Sequence, residues 1–252
     1  MKKIIFLLLT VMTVTVYAQK TDLATVNTVK PKLGEKMAFE AAYKLHIAKF
    51  HKTDEKMNVY EILSGANNGR YLLVNGGRSF ASMDNDRSDA IAHNMDLDKS
   101  FFPLLESTSN ATYRYLDSLS FHNEIQAEKF VCNIRHIKSS MLDDYRKELS
   151  RGVKTLGKLK GVFWDNFSFS VYQQLWSGSD PVMVTVRNLK DGFKSLEDNY
   201  YAPMTEVTPA FKDEYIKTYG TLDWDKRTKL IDEAVEKNEQ YIMKLRKDLS
   251  SQ

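Results

Sequence analysis

Hydrophobic positions along the chain follow two kinds of spacing, which predict the order of its helices and strands. From Glu35 to His51, apolar and aromatic side chains recur every three or four residues, as in an amphipathic helix. Ser140 to Leu159 has the same pattern. Short runs with strand character precede these stretches, at Ala24–Lys30 and Phe130–His136. The pattern therefore predicts a strand followed by a helix, twice.

An internal repeat organises the chain. The segment VYEILSG at Val59–Gly65 recurs as VYQQLWSG at Val171–Gly178, and an apolar run typical of a strand follows each copy. Phe80–Asp84 also matches Phe193–Glu197, at an offset of 113 residues against 112 for the first match. A second helix is expected between residues 90 and 105 of the first copy. The repeated unit is thus strand, helix, strand, strand, helix.

The segments outside these units predict a connector and a final helix. Glu106–Lys129 is polar and mixed, which indicates a connector with at most one short helix. Asp225–Leu249 has apolar residues on one side and many Lys and Glu residues on the other, which predicts a C-terminal amphipathic helix. We therefore divide the chain into residues 19–129, the first repeat and connector, and residues 130–252, the second repeat and C-terminal helix.

This repeated unit resembles a known plan. A β-α-β-β-α unit is ferredoxin-like, with helices on one sheet face and the other face in need of a partner. With FEAAYKLHIAKFH at Phe39–His51 and the VYEILSG strand, the chain resembles the NIPSNAP-like branch of the dimeric α/β-barrel proteins. The resemblance implies an α+β fold in which two tandem ferredoxin-like repeats form one barrel-like body. It carries no catalytic signature.

Strand alternation then indicates which side chains face the barrel interior. In the second repeat, Phe169 and Val171 suit the face under the helices, whereas Ser170 and Tyr172 suit a partly polar interior. Either the barrel is packed solid or it holds a ligand cavity. The candidate ligand-binding residues are Tyr60, Asn133, Arg135, Tyr172, Gln174 and Trp176. Arg135 would anchor an anion if its strand face is internal.

Candidate catalytic and metal-binding chemistry is sparse. No metalloprotease, nucleophile-elbow, phosphate-loop or dinucleotide motif occurs, so we expect no catalytic residue, metal or cofactor. His46 and His51 are five residues apart, about 140° around a helix at about 100° per residue, so we expect them not to share a metal. We interpret His46 as a core histidine with a hydrogen-bond partner. Cys132 is the only cysteine, which excludes an intramolecular disulfide and favours a small buried side chain.

The N-terminus predicts export. Lys2 and Lys3 precede an apolar run, Ile4–Val16, and Val16-Tyr17-Ala18 resembles a signal-peptidase site. Cleavage after Ala18 leaves 234 of the 252 residues and removes two lysines, so the net charge falls from +3 to +1. Such a chain lacks the basic stripe of a nucleic-acid-binding protein. We expect a periplasmic or secreted protein with no membrane span after cleavage.

Three functions are compatible with these observations. We expect a non-catalytic protein that binds a small molecule or a partner through the barrel interior. The first alternative is an enzyme of the same superfamily, a cofactor-free monooxygenase or a haem-degrading type, in which His122 or His136 would supply a haem ligand. The second is a structural or interaction protein that associates through its C-terminal helix. The oligomeric state is not fixed by the sequence.

Overall fold

Eight antiparallel strands form a closed barrel with helices outside it. The computed structural model describes residues 21–52, 55–84, 87–123, 125–161, 165–197 and 204–251, without the side chains of 204–207. The strands are β1 Leu23–Pro31, β2 Asn58–Ile62, β3 Tyr71–Arg78, β4 Leu105–Tyr115, β5 Lys129–Ile137, β6 Phe169–Leu175, β7 Val182–Leu189 and β8 Val235–Leu245. The helices are α1 Lys36–Phe50, α2 Phe80–Met83, α3 Ala90–Asp96, α4 Leu142–Lys158, α5 Met204–Tyr219 and α6 Thr221–Ala234.

The strand order around the barrel is β1-β3-β2-β8-β5-β7-β6-β4. Each half of the chain therefore contributes four neighbouring strands, in the order β4-β1-β3-β2 and β8-β5-β7-β6. Two seams join the halves, where β2 pairs with β8 and β4 pairs with β6. Because the sheet closes through both seams, no described strand is left as a free edge.

Helices α1 and α4 cover the outer face of the barrel. Phe39 and Tyr43 of α1 are buried in one cluster with Val59 and Tyr71 of β2 and β3. In the second half, Tyr145 of α4 packs in a cluster with strand residues and with the end of α6. Burial of each such large apolar side chain contributes about 1.5–3 kcal/mol. The helices predicted at residues 35–51 and 140–159 and the strands at 24–30 and 130–136 are confirmed.

The expected connector contains a long strand. β4 occupies Leu105–Tyr115 and pairs with β1 over most of its length, so the prediction of a polar connector is wrong for this segment. Its outer face is exposed at several positions, which gave the sequence a polar character. The β-branched and aromatic residues Thr108, Thr112, Tyr113 and Tyr115 are nevertheless typical of a strand.

The predicted C-terminal helix is wrong beyond Ala234. Helix α6 ends there, and β8 begins at Val235 and pairs with both β5 and β2. Tyr241 and Met243 alternate into the interior, where both are buried. Ile231, Val235, Ile242 and Leu245 fit helical spacing by chance, but the opening between β2 and β5 can be closed only by a strand.

The predicted signal peptide lies outside the described residues. Among the helices that are described, none is both long and apolar enough to cross a membrane.

Candidate functional site

The barrel encloses a cavity of about 500 Å³. Inward-facing residues of β1, β2 and β3, such as Val26, Tyr60 and Leu72, form one side of it. Residues of β5, β6 and β7, such as Ile134, Tyr172 and Val184, form another. The structure thus favours a barrel with interior space over one packed solid.

Tyrosines supply much of the polar character of the cavity. The rings of Tyr115 and Tyr172 lie 5.5 Å apart, and the Tyr60 ring meets Phe130 edge to face at 5.6 Å. Five tyrosines line the cavity: Tyr60, Tyr113, Tyr115, Tyr172 and Tyr241. An apolar wall carrying a few phenol hydroxyls is typical of sites for neutral ligands with aromatic rings.

Burial keeps these groups uncharged. Desolvation raises the pKa of Tyr113 to about 12 and raises the pKa values of Tyr60 and Tyr172. Burial likewise raises the pKa of the Cys132 thiol to about 12, so it is protonated at neutral pH. Asp22 is the one charged residue among the described residues that line the cavity, and its carboxylate lies 3.7 Å from the Arg114 guanidinium. The cavity is therefore nearly neutral.

A tyrosine and a histidine are in contact at one end of the cavity, where β1 begins and β4 ends. Tyr115 lines the cavity, and its hydroxyl contacts Nε2 of His122. It also donates a hydrogen bond to the Asp117 carboxylate at 3.2 Å. His122 is half exposed, so its ring reaches solvent while its Nε2 contacts a tyrosine of the cavity wall.

The structure separates the six sequence-predicted ligand residues into two groups. Tyr60 and Tyr172 line the cavity, and Ser170 beside Tyr172 faces inward as expected. Gln174 lies further along β6 opposite Tyr113, outside the cavity lining. Trp176 lies beyond the end of β6, is 74% exposed and meets the Phe80 ring edge to face.

Asn133 and Arg135 point away from the interior. Asn133 accepts a hydrogen bond from Gln240 at 2.7 Å, and Arg135 donates one to the Tyr145 hydroxyl of the outer helix α4 at 3.0 Å. Their neighbours Cys132 and Ile134 take the inward positions. Arg135 therefore lacks the internal orientation that an anion anchor in the cavity would need, because the strand register places it under α4.

A group of three histidine side chains lies outside the barrel, between α1 and α3. Nε2 of His93 lies 3.1 Å from Nε2 of His46 and 3.3 Å from Nε2 of His51. One nitrogen of each ring lies within 4.8 Å of the other two. We call these three residues the histidine cluster. His46 and His51 are buried, and His93 is partly exposed.

The remaining ring nitrogens face oxygen atoms. Nδ1 of His46 lies 2.9 Å from a carboxylate oxygen of Asp96, and Nδ1 of His51 lies 2.9 Å from the backbone carbonyl of Glu55. Burial lowers the pKa of His46, and it lowers the pKa of His51 to about 4. Both rings are therefore neutral at neutral pH.

The expectation that the His46 and His51 side chains point in directions too different to approach one metal ion is wrong, because both rings lie beside His93. Helix α1 ends at Phe50, and His51 has a non-helical backbone with φ −124° and ψ 50°. The 140° separation calculated for a continuous helix does not apply there. His93 comes from a distant segment, so nothing in the local sequence indicated the cluster. The interpretation of His46 as a buried, hydrogen-bonded residue is confirmed.

Comparison with known proteins identifies the fold. No protein-family model matches the chain, and no curated protein matches it in sequence. An anthrone oxidase-like protein matches with a TM-score of 0.53 at 12% identity, covering 90% of this chain and 92% of the other. A mutant chlorite dismutase from Candidatus Nitrospira defluvii gives 0.52 at 6% identity, with coverage of 90% and 92%. A proposed monooxygenase from Lactobacillus acidophilus gives 0.50 at 9% identity, with coverage of 91% and 95%.

The chain therefore has the fold of the dimeric α/β-barrel proteins, with an α+β architecture and both parts of the barrel in one polypeptide. At these identities the likeness concerns the fold alone.

Proposed function

We propose that the barrel interior binds an uncharged small molecule that contains aromatic rings and a few hydrogen-bonding groups. The observation that carries this proposal is the cavity of about 500 Å³ whose walls combine aliphatic side chains with five tyrosines. Neutral phenols can stack on a flat ligand and can donate or accept hydrogen bonds. An anionic ligand would lose its hydration without gaining a cationic partner among the described lining residues, and the one lining carboxylate, Asp22, already lies beside Arg114, so a charged ligand is a poor occupant.

A matched pair of variants tests this proposal. Val26 lines the cavity, whereas its neighbour Asn27 lies on the outer face, where it accepts a hydrogen bond from Asn110. Val26→Trp should fill the cavity and abolish retention of a neutral tricyclic aromatic ketone, measured by native mass spectrometry and by tyrosine fluorescence. Asn27→Trp should retain the ketone. Equal retention by both variants, with unchanged circular dichroism, would exclude the interior as the binding site.

Haem is a poor fit to this cavity. Haem iron is usually held by histidine, a cysteine thiolate, methionine paired with histidine, or tyrosine. Among the described cavity-lining residues there is no histidine, and burial raises the pKa values of Cys132, Tyr60, Tyr113 and Tyr172, which disfavours the thiolate and phenolate forms that would bind iron. His136 and His122, the two candidate ligands, do not line the cavity. The described lining residues include no lysine or arginine either, so the haem carboxylates would have no cationic partner among them.

A cofactor-free oxidation is the second candidate function. The contact between Tyr115, which lines the cavity, and the half-exposed His122 favours it. Such an enzyme would remove a proton from an activated CH₂ between aromatic rings, and the carbanion would react with O₂. The overall change converts CH₂ and O₂ into C=O and H₂O, so molecular oxygen is the oxidant and no cofactor is consumed. The fold likeness to an anthrone oxidase-like protein is compatible with this reaction.

Oxygen consumption separates the two candidates. If the protein is an oxidase, an anthrone-like ketone should drive O₂ uptake that falls in His122→Ala and Tyr115→Phe, while both variants still bind the ketone. Binding of the ketone without O₂ uptake by the unmodified protein would leave binding as the function.

The finer sequence interpretations extend this proposal. We propose in addition that the two halves are tandem ferredoxin-like repeats of the NIPSNAP-like branch and that the protein is exported. The β-α-β-β-α-β order of each half and the strand orders β4-β1-β3-β2 and β8-β5-β7-β6 support the repeat. Export is supported by the N-terminal pattern of residues 1–18. N-terminal sequencing of the mature protein from the periplasm or medium should begin at Gln19, and an intact Met1 would contradict export by cleavage.

A further inference from the structure

Three imidazole nitrogens meet at one point on the outside of the barrel. The Nε2 atoms of His46 and His51 both lie close to Nε2 of His93, at 3.1 and 3.3 Å. In a tetrahedral site with metal–nitrogen distances of about 2.0–2.1 Å, neighbouring ligand nitrogens are about 3.3 Å apart. The two separations from His93 therefore match a three-histidine metal site, and one nitrogen of each ring lies within 4.8 Å of the other two, although α1, the residue after it and α3 supply the ligands separately.

The hydrogen bonds around the cluster fix which nitrogens carry protons. The Asp96 carboxylate and the Glu55 carbonyl can only accept, so Nδ1 of His46 and Nδ1 of His51 must each donate. In the neutral rings this leaves an unprotonated lone pair on both Nε2 atoms. Nδ1 of His93 lies 3.3 Å from the side-chain oxygen of Asn94, which favours the same tautomer. Three lone pairs then converge, and without a cation between them they would repel.

We propose that Nε2 of His46, Nε2 of His51 and Nε2 of His93 bind one divalent transition-metal ion, with zinc the best match. Imidazole suits zinc, copper, iron and nickel, whereas calcium and magnesium prefer oxygen ligands. Three protein ligands leave a fourth tetrahedral position for water or an external ligand, as in catalytic zinc sites.

The surroundings of the cluster resemble those of known metal-ligating histidines. Such residues almost always donate their second N–H to a carboxylate, carbonyl or water, which orients the ring. Asp96 is itself held by Lys49, at 3.1 Å. Arg87 lies beside the end of α1, where it donates to the backbone carbonyl of Phe50, and its charge is offset because its guanidinium pairs with Glu55 and Asp89. The local charge is therefore close to balanced before a metal binds.

The metal site is separate from the ligand cavity. None of the three histidines lines the barrel interior, because the side chains of α1 and α3 lie on the outer face of the sheet. Failure of the metal site would consequently leave the proposed ligand-binding function intact, and the reverse also holds.

The test uses the full chain without a histidine tag, stripped with a chelator and titrated with Zn²⁺ by calorimetry. The wild type should bind one ion per chain. His93→Ala should abolish this binding, and because His93 is partly exposed the variant should keep its fold, checked by circular dichroism. Asp96→Asn should weaken zinc binding by about 10–100-fold, since it removes the acceptor that orients His46. His122→Ala, a histidine outside the cluster, is the control and should bind zinc normally.

A spectroscopic measurement identifies the ligands independently of affinity. Co²⁺ in the wild type should give the intense visible absorption of a four-coordinate site, and His93→Ala should give only the weak spectrum of hydrated Co²⁺. The proposal is overturned if wild type and His93→Ala bind Zn²⁺ equally, or if Co²⁺ in the wild type shows the hydrated spectrum.

Discussion

The two halves of the chain place different chemistry at matching positions of their helix layers. β1 and β5 begin 106 residues apart, at 23 and 129, and so do α1 and α4, at 36 and 142. By this offset Glu40 corresponds to Arg146, and His46 corresponds to Gly152. At these matching positions the first half has a glutamate and a histidine, whereas the second half has an arginine and a glycine.

The first pair shows how each helix is tied to its strand. In the first half, Arg246 lies between Glu40 of α1 and Glu61 of β2 and pairs with both, at 2.6 and 2.9 Å. In the second half, Arg146 of α4 donates directly to Gln173 of β6, which matches Glu61 in the repeat. In the first half, the contact between helix and strand is ionic and depends on Arg246, which belongs to neither element. In the second half, the helix itself supplies the arginine, and its partner on the strand is a neutral amide.

The second pair shows why only one half has a histidine cluster. A Cβ atom on Gly152 would lie 3.6 Å from Nη2 of Arg227 and 4.0 Å from the Phe211 ring. Helices α5 and α6 thus occupy the space that an imidazole would need. In the first half, the short helix α3 covers α1 and brings His93 and Asp96 to the corresponding place.

The largest difference between the halves should be in the free energy of unfolding that is lost when Arg246 or Arg146 is replaced. Arg246→Met removes the guanidinium that pairs with two largely buried carboxylates and leaves them only the more exposed Lys36, so it should lower the free energy of unfolding by about 3 kcal/mol. Arg146→Met removes a hydrogen bond to a neutral amide and should cost about 1 kcal/mol. Urea denaturation followed by circular dichroism measures both. Equal losses would contradict the assignment of an ionic link to the first half only.

The next test moves the first-half residue into the second half. Gly152→His forces an imidazole against Arg227 and Phe211 and should destabilise the protein by about 1–3 kcal/mol. Gly152→Ala meets these neighbours at ordinary contact distance and should instead stabilise the helix by up to about 1 kcal/mol. Thermal denaturation of both variants checks this contrast in sign. Stabilisation by both would show that α5 and α6 do not fill the space.

The smallest expected effect is a difference in acid sensitivity. The hydrogen bond from Arg246 holds the pKa of Glu40 below its ordinary value of 4.5. The stability that this carboxylate contributes is therefore fully present above about pH 4.5 and is lost as the pH falls through the lower folded-state value. Arg246→Met, which also frees Asp248, should flatten the fall in unfolding free energy below pH 4.5. Urea titrations at pH 3–6 measure how the free energy of unfolding of each protein changes with pH. The same dependence on pH in the wild type and in Arg246→Met would argue against the ion pair between Arg246 and Glu40.

Local patterns predicted α1, α4, β1 and β5, because each buries one face against a single layer and so shows a clear period. β4 was missed because its outer face is exposed and polar, and β8 was missed because its apolar residues also fit a helix. Both segments form strands because the neighbouring strands of the barrel have edges that need hydrogen-bonding partners, and that requirement is a property of the whole sheet. Only tertiary contacts could reveal it.

The same reasoning applies to the candidate sites. Tyr60 and Tyr172 were found because a strand repeat fixes which side chains face inward. Arg135 was misplaced because a shift of one residue reverses a strand's faces. In the histidine cluster, the packing of α3 on α1 brings His93 to His46 and His51, which lie 47 and 42 positions earlier in the sequence, and no spacing rule encodes that approach.

The position of β8 has a consequence for how the polypeptide reaches its final form. Tyr60 pairs with Leu245 across 185 residues, so the barrel cannot close until β8, which follows all the other described strands, has been synthesised. Until it arrives, β2 and β5 each present an unpaired edge on which another chain can dock. Contacts this distant in sequence also form slowly. The barrel therefore closes late in folding, and the partly paired forms that precede closure are the ones whose open edges favour aggregation.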